Sequence, residues 1–342
     1  METTINPNLD LEKKEINESN LQEEIQIASW KIKKLETEIH KVIVWQDKLI
    51  RNLIIALLSQ WHILLEWLPW LAKTLTIQSF AKAINVWFSR IQFTPDLLPS
   101  DLIGTEIYNQ HKEEFTIKKW PIFSNFILAD EINRAPSKVQ SALLEAMAEK
   151  QITIGNSTFA LEEPFMVLAT QNPIEQSGTY SLPEAQLDRF MMKTIVNYTS
   201  KKDEINILKR FQNNEIKEIK QVINKEEIKN IQNIMKKIYI SDNIYEYVSD
   251  LIDATRNPKK HNLAELENYI LYWVSPRWWL SIILASKVLA IMNDRDFILP
   301  EDIKNIAFDI FNHRLKLSYE AIANNIKEKD IIQKILDNVK IS

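Results

Sequence analysis

The stretch NFILADE (125–131) constrains the fold more than any other part of the chain. Phe126, Ile127, Leu128 and Ala129 are apolar without alternation, and two acids close the run. A short apolar run of this kind is a strand buried on both faces, and such strands belong to parallel sheets covered by helices on either side. FMVLATQNP (165–173) has the same form and ends in polar residues. WHILLE (61–66), FSRIQFT (88–94) and MMKTIVNY (191–198) complete a set of five. Between them lie helical patterns, including one through about Asn85 and SKVQSALLEAMAEK (137–150). Strands alternating with helices predict an α/β fold with a mostly parallel five-stranded sheet. DLIGTEIYNQHKEEFTIKKW (101–120) reads as a hairpin-like insertion, and QITIGNSTFALEE (151–163) as a hairpin around a Gly-Asn turn.

Three divisions follow. Residues 1–38 are charged and predict a disordered start running into a solvated helix near Leu21–His40. Residues 39–198 form the α/β core. Residues 199–342 read as an all-α domain rich in Lys, Glu, Ile and Asn. The apolar run at 53–72 has about the length of a membrane span, yet it contains Gln60, His62, Glu66 and Pro69, and helix, strand and loop account for it better. Without a basic-then-apolar N-terminus, a cytoplasmic protein with no stable membrane insertion is expected.

Charge and cysteine exclude several functions. Net charge is −4, which offers no nucleic-acid surface. The absence of cysteine rules out disulfides, thiol catalysis and thiolate metal sites. The five histidines (40, 62, 111, 261 and 313) have no metal-ligand spacing, and His62 at the start of a buried run reads as a core residue.

The polar ends of the apolar runs spell out one chemistry. Hydrolysis of a nucleoside triphosphate needs a helix N-terminus and a lysine for the phosphates, a hydroxyl and a carboxylate for Mg²⁺, a base for water and a cation for developing charge. Lys73 and Thr74 follow the first strand. Asp130 and Glu131 close the third, as magnesium ligand and water-polarising base. Asn172 follows the fourth. Arg189 in LDRF is a candidate arginine finger and Arg277 in SPR a candidate γ-phosphate sensor. Singly, each has a plainer reading: a Lys-Thr pair is common, Asp-Glu often only caps a helix, and an isolated Arg usually makes a surface salt bridge. Their order along the chain is what carries the reading.

Three stretches, RIQFTPDLLPSDLIGTEIY (90–108), ILADEINRAPSKVQSALLEAMAEKQITI (127–154) and LATQNPIEQSGTYSLPEAQLDRF (168–190), resemble the MoxR group of AAA+ ATPases. The resemblance implies an AAA+ core followed by a helical lid. It implies an ATP site made of a Walker A loop over Trp67, Leu68, Pro69, Trp70, Leu71, Ala72, Lys73, Thr74 and Leu75, Walker B acids Asp130 and Glu131, sensor 1 Asn172, finger Arg189 and sensor 2 Arg277. It implies ATP and Mg²⁺ as cofactors and a ring, usually hexameric. It also implies chaperone-like remodelling of a client, often beside a protein with a von Willebrand factor A domain. An ATP-inactive scaffold on the same fold and a metal-chelatase-type motor are the alternatives.

The same comparison isolates one anomaly. Glycine occurs 3 times and tryptophan 10 times in 342 residues, whereas average usage would give about 24 glycines. At 45, 61, 67, 70 and 120 the chain has Trp where the family has Gly, and Trp87, Trp273, Trp278 and Trp279 also fall at turns or where small residues are usual; Trp30 has no clear counterpart. Some bacteria decode UGA as glycine, so most of these tryptophans are expected to be glycines in the cell.

Overall fold

The computed structural model describes residues 7–43, 46–67, 73–109, 113–119, 121–172, 180, 182–196, 201, 205, 209, 218–272 and 277–341. A five-stranded parallel sheet lies at its centre. Its strands are β1 (His62–Trp67), β2 (Phe88–Gln92), β5 (Phe126–Asp130), β8 (Met166–Gln171) and β9 (Phe190–Val196), in the order β2-β5-β8-β1-β9. The remaining strands pair as hairpins. β3 (Gly104–Asn109) pairs with β4 (Glu114–Lys119), and β6 (Gln151–Ile154) with β7 (Ser157–Ala160) around a left-handed Gly155.

Period-two alternation divides the apolar runs between the two faces. Ile63, Leu65, Phe126, Leu128, Met166 and Leu168 face one core. Leu64, Ile127, Ala129, Val167 and Ala169, their neighbours in sequence, face the other. The second core is roofed by α5 (Ser137–Glu149) and the β6–β7 hairpin. The first is larger. It takes in α1 (Pro7–His40), α2 (Asp47–Leu58) and α3 (Lys73–Ile84), and runs without a break into the helical domain.

That domain contains α7 (Lys225–Lys237), α8 (Asp242–Arg256), α9 (Arg277–Met292), α10 (Pro300–Phe311), α11 (Tyr319–Ala323) and α12 (Glu328–Asn338). It is not wholly α: β10 (Ile270–Tyr272) and β11 (Lys316–Leu317) form a two-stranded antiparallel pair. Two short helices, α4 (Pro99–Ile103) and α6 (Glu184–Leu187), complete the core domain.

The N-terminal helix departs from expectation. It is one long element, and it is not solvated: Ile25, Ala28, Ile32, Leu35 and Ile39 form a buried stripe at three- and four-residue spacing. Its polar face is fastened as well. Lys31 pairs with Glu227 at 2.7 Å, Lys33 with Asp294 at 2.7 Å, and Ser29 Oγ donates to the Met292 carbonyl at 3.2 Å. High Lys and Glu content hid the stripe, because five small-to-medium apolar residues suffice to bury one face.

Tryptophan takes varied environments. Trp278 is fully buried against Phe311, with ring centroids 4.3 Å apart. Trp30, Trp87 and Trp279 are exposed. Among the described residues no tryptophan has a positive φ. Trp45, Trp70, Trp120 and Trp273 lie outside the described residues, as do Leu68–Ala72 of the expected phosphate loop.

Candidate active site

The carboxyl ends of the three central strands converge, because β8 lies between β1 and β5. Ligands of open α/β sheets bind at this edge. Lys73 is the first residue of α3, so its ammonium stands at a helix N-terminus, where amides and dipole favour an anion. Thr74 follows it in the first turn, and Leu75 is partly exposed beside them.

Asp130 ends β5 with only 1% of its surface exposed. Its Oδ1 accepts from Lys73 Nζ and from Thr170 Oγ1, the latter at 2.7 Å. Its Oδ2 accepts from Arg90 Nη2 at 2.6 Å and Nε at 3.1 Å. Burial alone would push this carboxyl up. The hydrogen bonds from Lys73, Thr170 and Arg90, with the charge on Lys73, outweigh burial and hold it below its usual range. The residue is therefore an anion shared by two cations.

Glu131 has φ 57° and ψ 51°, a left-handed conformation unusual for a side chain with Cβ. Such positions cost on the order of 1–3 kcal/mol and cluster at functional sites. The backbone turns there because the strand gives way to a 3₁₀ turn at Ile132–Arg134. Thr170 steadies the turn by accepting the Glu131 amide at 2.9 Å. The Glu131 carboxylate accepts from Gln92 Nε2 at 3.0 Å and lies 3.1 Å from Arg134 Nε. Asn172 lies one residue beyond β8, at the same edge.

The two other predicted site residues lie elsewhere. Arg189 precedes Phe190, which pairs with His62 at the opposite end of the sheet. Six steps along β9 at about 3.3 Å each put it about 20 Å from the edge that holds Lys73 and Asp130. Arg277 begins α9 and lines the same cavity of about 260 Å³ as Arg189, together with Trp61, Met147 and Lys150. Its Nη1 is 3.9 Å from Asp188, and Arg189 donates to the Leu144 carbonyl. The structure thus brings Lys73 onto Asp130 beside Glu131, places Thr74 and Asn172 at the same edge, and collects Arg189 and Arg277 into a second group. His62 at this second edge is a core residue: Nδ1 accepts from Val167, Nε2 faces the Met147 carbonyl, and burial lowers its pKa to about 4.

Among the described residues no three His, Asp or Glu side chains form a metal cage. Mg²⁺ is usually held by one or two carboxylates and substrate phosphates, keeping its waters. The buried anionic Asp130, whose Oδ1 already receives the Lys73 ammonium, is a donor of the right kind.

Two family models match this chain: an ATPase family associated with various cellular activities (AAA) over residues 62–192, and an AAA lid domain over 266–335. The chaperone MoxR1 of Mycobacterium tuberculosis is 42% identical over 304 residues, spanning 89% of this chain and 80% of that protein. The chain belongs to the MoxR family of AAA ATPases. The YeaC protein of Bacillus subtilis is 40% identical over 304 residues, covering 89% of this chain and 92% of its own. A crystal structure of a protein assigned as an ATPase from Cytophaga hutchinsonii superposes with a TM-score of 0.90 at 48% identity, covering 96% of this chain and 99% of the other.

In this MoxR-family chain the sequence reading missed Thr170, Arg90 and Gln92. Thr170 was hidden in plain view as the one hydroxyl of the apolar run MVLAT. The alternation of Arg90 and Gln92 around Ile91 in β2 put both on one face, a signal that only the neighbouring strand's acids make meaningful. Among the described residues no helix is long and apolar enough to cross a membrane.

Proposed function

We propose that this chain is an ATP-hydrolysing subunit of a homo-oligomeric, hexameric ring that remodels or activates a protein partner. The observation that carries this is the division of the site: anion-binding and water-activating groups at one edge of the sheet, arginines at the other. One chain alone cannot bring Arg189 to a nucleotide on its own Lys73. A neighbouring copy, packed with its amino edge against this carboxyl edge, supplies it, and Arg277 travels with it.

In that arrangement Lys73 leaves Asp130 for the β- and γ-phosphates. Thr74 and Asp130 would hold magnesium, which would supply neutralisation of phosphate charge. Glu131 takes a proton from the attacking water, Asn172 orients that water, and Arg189 of the neighbour stabilises the transferred charge. The description of one relative, MoxR1, as a chaperone favours a protein client; a von Willebrand factor A protein as adaptor and a cytoplasmic location complete this reading.

Trp67 and Trp70 favour a second reading, an ATP-inactive scaffold, if the cell makes them as tryptophan, since an indole there would fill phosphate space. We infer instead that both are glycine in the cell. Mass spectrometry of the native peptide spanning 61–73 decides this, and intact tryptophans there would sink it.

Subunit mixing tests the ring. Lys73→Ala and Arg189→Ala variants, made with glycine at 67 and 70, are each expected to be inactive. Mixed, they are expected to recover part of the hydrolysis, because some junctions pair an intact Lys73 with an intact Arg189. No recovery, with normal assembly of both, would refute the shared site.

A further inference from the structure

Asp130 and Glu131 are held from the same side by β2. Arg90 and Gln92 are two residues apart on this edge strand, so they share a face, and Gln92 stands opposite Asp130 in register. Arg90 gives two N–H groups to Asp130 Oδ2 and a further contact, Nη2 to Gln92 Oε1, at 2.9 Å. Gln92 passes the connection on, its Nε2 donating to Glu131 Oε2 at 3.0 Å. The amide orientation is fixed by chemistry: a guanidinium only donates and a carboxylate only accepts, so the Gln92 oxygen must face Arg90 and its nitrogen Glu131.

From this geometry we propose that Arg90 is the positioning residue for both acids, holding Asp130 directly and Glu131 through the Gln92 carboxamide. This rests on reading Asp130 and Glu131 as the magnesium and water-activating groups. Lys73 cannot do this work in the loaded state, because it leaves Asp130 when phosphates arrive. Thr170 touches only Oδ1. Arg90 is then the cation that remains on Asp130, and by holding Oδ2 it would leave Oδ1 as the oxygen available to a metal. A lysine in its place presents a single ammonium and cannot hold Asp130 and Gln92 in one plane.

The test uses the full chain with glycine at 67 and 70, and two readouts. One is kcat for ATP hydrolysis. The other is the Mg²⁺ concentration giving half of the ATP-induced rise in melting temperature, measured in a Glu131→Gln background. Arg90→Ala is expected to raise that concentration about tenfold and to lower kcat about tenfold or more, as for other groups that orient metal ligands. Arg90→Lys is expected to restore the magnesium response but not kcat. Gln92→Ala is expected to lower kcat and leave the magnesium response unchanged, and the double variant to be no slower than Arg90→Ala. A parental magnesium response in Arg90→Ala would overturn the proposal. So would kcat losses of Arg90→Ala and Gln92→Ala that multiply in the double variant. If Glu131→Gln leaves hydrolysis intact, the reading of Glu131 fails instead, and the magnesium titration still judges Arg90 on Asp130.

Discussion

The two edges of the central sheet are built by different rules. At the carboxyl edge, Lys73, Arg90 and Thr170 surround a single buried carboxylate, and Glu131 hangs from side chains on a strained backbone. At the amino edge, Arg314 is buried and anchored to main chain. It donates to the Phe190, Met191 and Ile310 carbonyls and pairs with Asp188 at 2.8 Å. The first edge has partners that a ligand can replace. The second has a fixed staple, with Arg277 left mostly exposed beside it at 60%. At the first edge the partners are side chains; at the second, main-chain carbonyls hold Arg314, and the Leu144 carbonyl holds Arg189. Arg277 reaches the same Asp188 at 3.9 Å while most of its side chain stays exposed.

Arg189→Ala should break this division most deeply. Loss of an arginine finger costs about 10³–10⁵ in kcat, whereas ATP affinity at the other edge should hardly change. Steady-state hydrolysis with fluorescent-nucleotide binding separates the two, and a matching loss of affinity would place Arg189 at its own chain's nucleotide. Glu131→Gln should lower kcat by about 10²–10⁴, the usual range for a positioned base, and should trap bound ATP.

Arg314→Ala should act on stability. It removes the guanidinium from the Asp188 carboxylate and from the carbonyls of Asp188, Phe190, Met191 and Ile310, and breaking a buried pair costs about 3–5 kcal/mol, read by denaturant unfolding. A smaller loss would mean that the staple is not structural. His62 gives a milder effect tied to pH. Its folded pKa is depressed to about 4, so between pH 4 and about 6.5 the unfolded chain binds a proton that the folded chain refuses. Stability should therefore rise with pH across that window and level off above it, by up to about 3 kcal/mol. His62→Gln should reduce the slope, leaving the part that comes from His313, whose pKa burial also lowers, and an unchanged slope would exclude His62 as a source.

Legibility followed burial on two faces. NFILAD and MVLAT read as strands because they are short, apolar on both faces and bounded by polar residues, and the polar residues that close them mark the site edge. Lys73 and Thr74 were legible by position even with an anomalous loop before them. Arg90 and Gln92 were not, since an edge strand with alternating polar residues looks the same whether it faces water or two acids. The stripe from Ile25 to Ile39 was present in the sequence at helical spacing, but charged neighbours outnumbered it. The relation of Arg189 to Arg277 depends on chain folding over almost 90 positions, which no local pattern encodes.

The unbroken core shared by α1, the sheet face and the helical domain bears on how work is transmitted. A lid that swung freely on its own core would have to tear open apolar contacts involving Ile32, Leu53, Val288 and Ile306, all fully buried. The sheet and the helical domain are instead joined through one apolar core. A displacement at the sheet edge that carries Asp130 is therefore shared with the helical domain through the core that Phe126 and Leu128 of the same strand enter.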